Sequence, residues 1–246
     1  MIIVSLRFYG DLNHLLTKKH EGRIVERRLP GPTSVKDLIE GCGVPHTEVD
    51  LILAGGQAVG FSYLIADKDH FSVYPVFTAL DISRNQRLQE PTLADPRFLA
   101  DVNLGKLARY LRIAGFDTAY RNDAEDDELI GRMQAEKRVL LTRDRKLLMR
   151  KVVRRGYLPR SDDATEQLEE VLSRFQLVDE INAFSRCPRC NGLLRSVPKE
   201  QVLDRLKPLT KRYFDTFSQC RDCGQIYWPG SHQHRLKTRL QNILDR

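Results

Sequence analysis

Residues 97–115 read RFLADVNLGKLARYLRIAG, and the fold of the second half of the chain follows from this stretch. It opens with a short apolar run, predicted to be a β-strand, that ends at Asp101. The apolar residues that follow recur at helical spacing on one face: Leu104, Leu107, Ala108 and Leu111. Gly115 comes directly after this pattern, at a position typical of a residue that ends a helix. A strand that leads directly into a helix predicts the start of an α/β domain.

The same alternation continues downstream. Residues 118–120 and 138–142 are predicted strands, and the second of them runs directly into Asp144. Further helices are predicted at residues 127–137, 147–153 and 166–175. Strands that alternate with helices predict a parallel sheet, in which functional sites lie beyond the carboxyl ends of the strands. Asp101 and Asp144 both fall at that edge.

The first 80 residues have a different pattern, with more strands than helices. Strands are predicted at residues 2–8, 23–29, 49–54 and 70–77. Ser34 stands where the N-cap of a single helix belongs, and Gly41 and Gly43 end that helix. Two strands, one helix and two more strands predict a β-grasp, or ubiquitin-like, domain. Residues 81–96 (DISRNQRLQEPTLADP) lack apolar periodicity and are predicted to form a linker.

Composition is that of a globular protein with a basic second half. The 246 residues are 41% hydrophobic and 30% charged, which suits two or three small domains. Neither a membrane span of about 18 apolar residues nor a signal peptide is evident, so the cytoplasm is the expected location. Residues 1–96 hold 10 Lys and Arg against 12 Asp and Glu, whereas residues 97–246 hold 30 against 21. This asymmetry favours contact with a polyanion such as nucleic acid, although an Arg-rich solubilising surface explains it equally.

Four of the five cysteines form two CxxC pairs, CPRC at 187–190 and CRDC at 220–223. Two such pairs place four thiolates at tight turns and predict a tetrahedral S4 zinc site with the ligands Cys187, Cys190, Cys220 and Cys223. Unrelated dithiols or a redox motif are the alternatives, but two pairs within one short segment favour the zinc site. Because the protein supplies all four ligands, the zinc would be structural. The gap between the pairs is long for such a site, so a helix is predicted at residues 199–206.

Acidic residues of the central region form the second candidate site. They are Asp101, Asp123, Asp126, Asp127, Glu128 and Asp144. Carboxylates from separate strand ends can hold Mg²⁺ or Mn²⁺, and such an ion activates water and stabilises a phosphoryl displacement. Aspartate before a helix is more often an N-cap, and for each residue taken singly capping is the stronger interpretation. The strand-end positions of Asp101 and Asp144 favour a metal site for the set.

Basic and aromatic residues flank these candidate sites. Cations cluster near the acids in sequence, as a phosphodiester substrate would need, among them Arg109, Arg112, Arg145 and Arg150. For any one of them taken singly, a solvated helix face is the stronger interpretation. Most of the five aromatic residues that surround the second CxxC pair are expected to build the core of a small domain, with stacking on bases as the alternative: Tyr213, Phe214, Phe217, Tyr227 and Trp228.

Four runs in this half of the chain resemble a known family: FLADVNLGKLARYLRIAGFDTAYRNDAEDDELI, RVLLTRDRKLLMR, FSRCPRCNGLL and QCRDCGQIYWPGSH. Over residues 97–235 they resemble the Mut-seven C-terminal RNase family, a PIN-like nuclease fold followed by a zinc ribbon. In addition, VPHTEV at 44–49 and VYPVF at 73–77 resemble the ubiquitin-like domain that often precedes this nuclease.

The resemblance implies roles for individual residues. Asp101 corresponds to the first acid of a PIN-like endoribonuclease, at the end of the first strand. Asp126 and Asp127 correspond to the acids that open the second helix, with Asp123 near them. The TRD motif contributes Asp144.

Two departures from the related proteins limit what the resemblance implies. Many PIN domains have a further acid just beyond the TRD motif, where this chain has Lys146, so a full two-metal site is not implied. Sulfur-carrier relatives of the ubiquitin-like domain end in Gly-Gly, whereas this domain runs through Phe77 into the linker. A terminal thiocarboxylate is therefore not expected.

The sequence thus predicts a β-grasp domain (1–80), a linker (81–96), a PIN-like α/β domain with a parallel sheet (97–183), and a zinc ribbon with a C-terminal helix (184–246). The leading hypothesis is a metal-dependent ribonuclease that acts on single-stranded or structured RNA, with one structural zinc per chain and a catalytic Mg²⁺ or Mn²⁺. A non-catalytic RNA-binding module is the first alternative. An adaptor whose β-grasp domain recruits a protein partner is the second.

Overall fold

The structure is a computed structural model that describes residues 1–77, 87–89 and 95–230. Most of the predicted linker and the predicted C-terminal helix lie outside the described residues. Within the described part, no helix is long and apolar enough to cross a membrane.

The chain forms two compact units, and each combines two separate segments of sequence. Unit 1 contains Met1–Ala94 and Glu125–Arg160, and unit 2 contains Asp95–Ala124 and Ser161–Arg246. The ubiquitin-like part therefore shares a unit with a segment of the nuclease region. Of the candidate acids, unit 1 holds Asp126, Asp127, Glu128 and Asp144, and unit 2 holds Asp101 and Asp123; the four paired cysteines lie in unit 2. The predicted domain boundaries remain predictions.

A five-stranded sheet is the framework of the ubiquitin-like part. Its strands are β1 (Ile2–Phe8), β2 (Ile24–Leu29), β3 (Val49–Ala54), β4 (Gln57–Ala58) and β5 (His70–Pro75). They lie in the order β2-β1-β5-β3-β4, with β1 and β5 parallel and all other neighbours antiparallel. A parallel pair formed by the first and last strands within a mixed sheet is typical of a β-grasp fold. This prediction is confirmed.

Residues of β1 and of helix α1 (Val35–Glu40) contribute to the core of the ubiquitin-like part. Alternate residues of β1 are buried, as the two-residue period of a strand requires: Val4, Leu6 and Phe8. Ser34 caps α1, because its hydroxyl accepts a hydrogen bond from the N–H of Asp37 at 3.1 Å. The helix therefore begins where the sequence predicts.

In unit 2, the stretch that opens the nuclease region also folds as predicted. Strand β6 (Phe98–Ala100) is followed by helix α2 (Gly105–Ala114), and β7 (Thr118–Tyr120) pairs with β6 in parallel. Helix α2 ends at Gly115, whose φ of +108° is left-handed. A side chain at Gly115 would also lie 2.5 Å from the backbone oxygen of Asn182. Glycine is therefore required at this position.

The nuclease segment of unit 1 continues the α/β pattern. It contains α3 (Asp126–Glu136), β8 (Val139–Leu141), α4 (Arg145–Met149) and β9 (Gly156–Tyr157). Strands β8 and β9 are parallel. All three residues of β8 are apolar and buried, as in parallel strands that are covered on both faces. The mixed α/β class with parallel strands in the nuclease region is confirmed.

Unit 2 ends with α5 (Ala164–Arg174), which packs against α2, and with a cysteine-containing subdomain that we call the ribbon. The ribbon is a three-stranded antiparallel sheet of β10 (Leu194–Val197), β11 (Phe217–Cys220) and β12 (Ile226–Tyr227). Its small core contains Val197, Val202, Leu206, Phe217 and Ile226, with Phe214 and Trp228 packed against it.

The helix predicted at residues 199–206 is wrong. The structure has two single-turn 3₁₀ helices there, Lys199–Gln201 and Leu203–Arg205, and helix α6 (Pro208–Tyr213) follows. Val202, between the two turns, has a φ of −118° and a ψ of −1°, away from α-helical values, so the turns do not join into one helix.

Candidate functional site

The four paired cysteines converge, as predicted. Their Sγ atoms all lie within 4.8 Å of one another, with 3.7 Å between Cys187 and Cys223 and 3.3 Å between Cys190 and Cys220. Thiolates bound at about 2.3 Å around a tetrahedral zinc are about 3.8 Å apart, close to the observed distances. The cluster is compatible with zinc binding, and the subdomain is compatible with a zinc ribbon.

A tight turn positions each CxxC pair. In the first turn, Asn191 has a left-handed φ of +74° and donates its N–H to the carbonyl of Cys187 at 2.9 Å. In the second, Gly224 has a φ of +68° and donates to the carbonyl of Cys220 at 3.1 Å. Glycine and asparagine adopt this conformation most readily, so the residue types suit the turns.

Hydrogen bonds favour the thiolate form of one cysteine in the cluster. Burial raises the pKa of the Cys187 thiol, but hydrogen bonds from Tyr227 and from the backbone near Arg189 and Cys190 outweigh burial and lower the pKa to about 7. The Tyr227 hydroxyl lies 3.0 Å from this sulfur. Burial, assisted by the neighbouring thiols, raises the pKa of Cys190 to about 12. Negative charge is therefore concentrated on one sulfur, and the thiolate is the form that binds a metal.

Arg112 anchors the first turn of the ribbon to the nuclease region of unit 2. It is only 6% exposed, and its guanidinium donates to the carbonyls of Thr118 at 2.8 Å, Arg189 at 3.0 Å and Pro188 at 3.2 Å. Arg112 therefore does not lie on a solvated helix face, the stronger interpretation from the sequence, and its guanidinium binds backbone carbonyls instead of a substrate phosphate. Arg112 follows the buried Ala108 by four residues, and this spacing places it on the inner face of α2.

Asp101 and Asp123, the predicted acids of unit 2, have different surroundings. Asp101 follows β6 directly and is only 6% exposed. Its carboxylate accepts a hydrogen bond from the N–H of Val102 at 2.6 Å and caps a short 3₁₀ helix. Asp123 is exposed and forms an ion pair with Arg121 at 2.7 Å. Such surface pairs contribute little stability, so Asp123 is held only weakly.

Asp126 and Asp127 open helix α3 in unit 1, but neither is its N-cap. The cap is Glu125, which forms a capping box with Glu128, so that each side chain accepts a hydrogen bond from the backbone of the other. The carboxylates of Asp126 and Asp127 are therefore available for other contacts. The capping interpretation applies to Glu125 instead.

Asp144 follows β8 and caps helix α4. Its Oδ1 accepts hydrogen bonds from the N–H of Lys146 at 2.7 Å and of Leu147 at 3.3 Å. The hydroxyl of the buried Thr142 accepts a hydrogen bond from the N–H of Asp144 at 3.0 Å. Because both capping bonds end on Oδ1, capping is compatible with a further contact at Oδ2.

The three acids of unit 1 lie around one cation, Arg150. Its Nη1 is 2.5 Å from Asp127 and its Nη2 is 3.3 Å from Asp126. The hydrogen bond to Asp127 raises the pKa of Arg150, and the charges of Asp127, Asp126 and Asp144 add to this effect. Among the described residues, the cysteines form the one group of three or more side chains close enough to hold a metal ion. The acids of unit 1 are instead arranged around a guanidinium.

A buried carboxylate of the VPHTEV motif, not predicted as a site residue, joins the ubiquitin-like part to the nuclease segment of unit 1. Glu48 is only 3% exposed, and it accepts hydrogen bonds from the N–H of Leu158 at 2.9 Å and from Arg160 at 2.8 Å. Arg160 also contacts Asp11 at 3.0 Å. A buried carboxylate is stable only when it is paired in this way, so Glu48 and Arg160 depend on each other.

His46 and Arg145 add contacts at the same junction. One ring nitrogen of His46 lies 2.7 Å from the Glu40 carboxylate, and the other lies 2.9 Å from the carbonyl oxygen of Val153. Arg145 donates to the carbonyl of Leu15 at 2.6 Å, so its guanidinium contacts the protein itself. His46 belongs to the VPHTEV motif, so the sequence drew attention to this residue. Its contact Val153, however, is 107 residues further along the chain, so the sequence did not predict that contact.

Comparison with known proteins agrees with this architecture. The family model for the Mut7-C RNAse domain matches residues 96–240, and the model for the Mut7-C ubiquitin domain matches residues 1–81. No curated protein and no solved structure matches the chain significantly. An RNase domain supports a nuclease-type function with RNA as the substrate. The chain therefore belongs to the Mut7-C RNase family and has the ubiquitin domain of that family at its N-terminus.

Proposed function

We propose that the protein is a PIN-like, metal-dependent endoribonuclease whose site contains Asp101, Asp126, Asp127 and Asp144, with Asp123 as an additional metal contact. The proposal depends above all on the arrangement of the three unit 1 acids around Arg150. One guanidinium there faces two carboxylates within 3.3 Å and a third negative charge nearby. A local excess of carboxylate charge is what a hard divalent cation requires.

Each acid would have a distinct part in this site. Asp126 and Asp127 are not used for capping, and they would hold Mg²⁺ or Mn²⁺. Capping fixes the direction of the Asp101 and Asp144 carboxylates, and such pre-orientation is what a precise site needs. When bound, the ion would activate water and stabilise the charge that develops on the phosphate.

The zinc would have a structural role. Cys187, Cys190, Cys220 and Cys223 supply all four ligands of one zinc per chain and leave no open position for catalysis. The ribbon and the basic excess of residues 97–246 would bind the RNA backbone. A reducing cytoplasm, which keeps cysteines available for metal, is the location that suits this chemistry.

Neutralising the acids one at a time tests the proposal. Asp101→Asn and Asp144→Asn keep the shape of the side chain and an oxygen for capping, so both variants should fold and still bind RNA. Cleavage in Mn²⁺ should fall by about two orders of magnitude or more, because charge stabilisation is lost. The measurement is cleavage of labelled single-stranded and hairpin RNAs, with a reaction without added Mn²⁺ as the blank.

Asp204→Asn is the matched control, because Asp204 is an exposed aspartate of the ribbon insert. It should cleave as fast as the wild type. If all three variants cleave equally fast, Asp101 and Asp144 are only helix caps. If the wild type cleaves none of the RNAs, the enzyme proposal fails.

A non-catalytic RNA-binding protein is the second candidate, and the capping bonds of Asp101 and Asp144 favour it. Saturable RNA binding without Mn²⁺-dependent cleavage would support this candidate. The adaptor hypothesis requires an accessible surface on the ubiquitin-like part. The 46–48 segment does not provide one, since Glu48 and His46 bind the nuclease segment of unit 1.

A further inference from the structure

A cavity of about 580 Å³ lies between helix α2 and the ribbon, within unit 2. Proteins use cavities of about 300–1,000 Å³ for small molecules. The walls are mainly apolar and include the rings of Phe184, Phe214, Tyr227 and Trp228. Among the described residues that line the cavity, none is acidic. The volume and charge therefore suit a flat aromatic ligand that bears a negative charge.

The ring faces of the ribbon aromatics are only partly used by their neighbours. The centroids of Phe214 and Trp228 are 6.4 Å apart with their planes inclined at 48°, and Trp228 meets Phe217 at 6.5 Å and 55°. None of these pairs is stacked face to face. Phe214 and Trp228 are half-buried, so they support the ribbon core and also line the cavity. Such a wall is suited to stacking with a nucleobase.

The backbone of Phe184 is constrained where its ring lines the cavity. Its φ of +63° is left-handed, which is uncommon for a bulky residue. The N–H of Phe184 donates to the carbonyl of Ile113 at 2.7 Å, and this bond ties the residue to α2. Backbone conformations of this kind cluster at ligand sites, where the surrounding structure enforces them.

A cation and uncharged polar groups, among them Ser218 and Gln225, complete the lining. Arg109 is exposed and makes no ion pair with the described residues, whereas the guanidinium of Arg112 on the same helix is bound by backbone carbonyls. Ser218 offers a hydroxyl, and the Gln225 side chain is oriented by a bond from its Nε2 to the carbonyl of Ile226 at 3.2 Å. Aromatic faces, polar groups for a base edge and a cation for a phosphate are the contacts that single-stranded RNA requires.

We propose that this cavity binds one unpaired nucleobase of RNA, with the base against Trp228 and Phe214 and an adjoining phosphate at Arg109. The inference rests on the proposed function, since it takes RNA as the ligand. An apolar peptide segment would fill the same volume. It would, however, bury the polar groups of Ser218 and Gln225 without satisfying them, which is unfavourable.

Trp228 is the single tryptophan of the chain, so its fluorescence reports on this cavity directly. The full-length protein, with zinc bound and without Mg²⁺ or Mn²⁺, is titrated with AMP, GMP, CMP and UMP. Emission is excited at the red edge of the indole band and corrected for nucleotide absorbance. At least one nucleotide should change the emission saturably, whereas ribose 5-phosphate, which lacks a base, should not.

Variants test the phosphate contact and the stacking contact separately. Arg109→Ala should weaken nucleotide binding about tenfold, as expected for loss of a hydrogen bond to a charged group. Phe214→Leu should weaken it about fivefold or more by removing a stacking face. Lys106→Ala is the matched control, because Lys106 is an exposed cation on α2 that does not line the cavity, and its affinity should equal that of the wild type. The zinc content of each variant verifies that the ribbon is folded.

Absence of a saturable change with every nucleotide would overturn the inference. So would an equal response to ribose 5-phosphate, or equal weakening by Lys106→Ala and Arg109→Ala. A change of emission on addition of an apolar peptide alone would assign the cavity to a protein segment instead. Nucleoside monophosphates contain no phosphodiester bond to cleave, so this outcome is independent of nuclease activity. A protein that binds nucleotides without cleaving RNA would refute the proposed function alone.

Discussion

The cysteines of unit 2 and the acids of unit 1 are both candidate metal ligands, but the protein prepares them differently. The four thiols are gathered within 4.8 Å of one another by two rigid turns, and hydrogen bonds favour a thiolate on Cys187. Asp126, Asp127 and Asp144 instead surround Arg150, which neutralises part of their charge. The geometry of the first site is compatible with a bound zinc. In the second site, the Arg150 guanidinium contacts the carboxylates that a metal ion would bind, so the two cations would compete for them.

This difference follows from the function expected of each metal. A structural zinc has to bind tightly enough to stabilise a small subdomain whose core contains only a few residues. A catalytic Mg²⁺ or Mn²⁺ keeps several waters and is held by few carboxylates together with the substrate phosphate. A weakly organised acidic cluster is therefore consistent with a site that is completed by RNA.

The largest effect is expected from breaking the cysteine cluster with Cys190→Ser. Structural zinc contributes about 10–16 kcal/mol in small zinc domains, so loss of one thiolate should release the metal and unfold the ribbon. Elemental analysis should find about one zinc per chain in the wild type and none in the variant. Amide hydrogen exchange should show loss of protection in β10 and β11, while the strands of the ubiquitin-like part remain protected.

Cys42→Ser is the control for this experiment. Cys42 is half-buried in the ubiquitin-like part, and burial raises the pKa of its thiol, which disfavours metal binding. The control should keep one zinc and a protected ribbon. If Cys190→Ser also keeps both, the cluster does not stabilise the ribbon through a metal, and the contrast with the acids disappears.

The two sites also differ in how far the sequence predicts them. CxxC spacing is a local property of a turn, so the convergence of the four cysteines could be predicted before any tertiary structure was considered. Asp101 and Asp144 were predicted from strand ends, which is also local, but the role of Arg150 depends on residues 23 and 24 positions away. A cation near acids in the sequence can meet substrate, support the fold or neutralise the acids, and spacing alone does not separate these roles.

The different roles of Arg109 and Arg112 could have been predicted from the helical period. Both lie on α2, but Arg112 follows the buried Ala108 by one helical turn, so the helical period assigns it to the inner face. Glu48 shows the opposite case. It belongs to the VPHTEV motif, but no local pattern predicts its pairing, because its partner Leu158 is 110 residues away and belongs to a different predicted domain. The order of strands in the β-grasp part was predictable, whereas its junction with the nuclease segment was not.

An intermediate effect is expected from Glu48→Ala, which removes the buried acceptor at that junction. Breaking a buried ion pair typically costs about 3–5 kcal/mol, and Asp11 remains as a partner for Arg160, so a loss of about 3 kcal/mol is expected. Amide exchange at Leu158 and in β9 should accelerate. Cleavage of RNA should also slow, because the weakened segment follows helix α4, which Asp144 caps.

Glu26→Ala serves as the comparison, since Glu26 is an exposed acid on β2. Its exchange and cleavage rates should match those of the wild type. Unchanged protection in Glu48→Ala would mean that the ubiquitin-like part is not required to stabilise the nuclease segment. The adaptor hypothesis would then gain support.

The smallest effect, and the sharpest test of the acidic site, is expected from Arg150→Gln. Glutamine removes the positive charge that faces Asp126, Asp127 and Asp144 but keeps a side chain of comparable polarity. Because Arg150 is exposed, the thermal midpoint should hardly change, whereas Mn²⁺ affinity should rise several-fold when the competing charge is lost. Mn²⁺ binding is measured by titration calorimetry on zinc-loaded protein, with Lys151→Gln as the control, since Lys151 is the exposed cation next in sequence.

An equal rise of Mn²⁺ affinity in both variants would indicate a general charge effect, because removal of any nearby cation favours a divalent ion. No rise in Arg150→Gln would mean that Mn²⁺ does not bind where the guanidinium lies, and Asp126 and Asp127 would lose their assignment as ligands. A rise confined to Arg150→Gln would establish that the arginine and the metal compete for the same carboxylates.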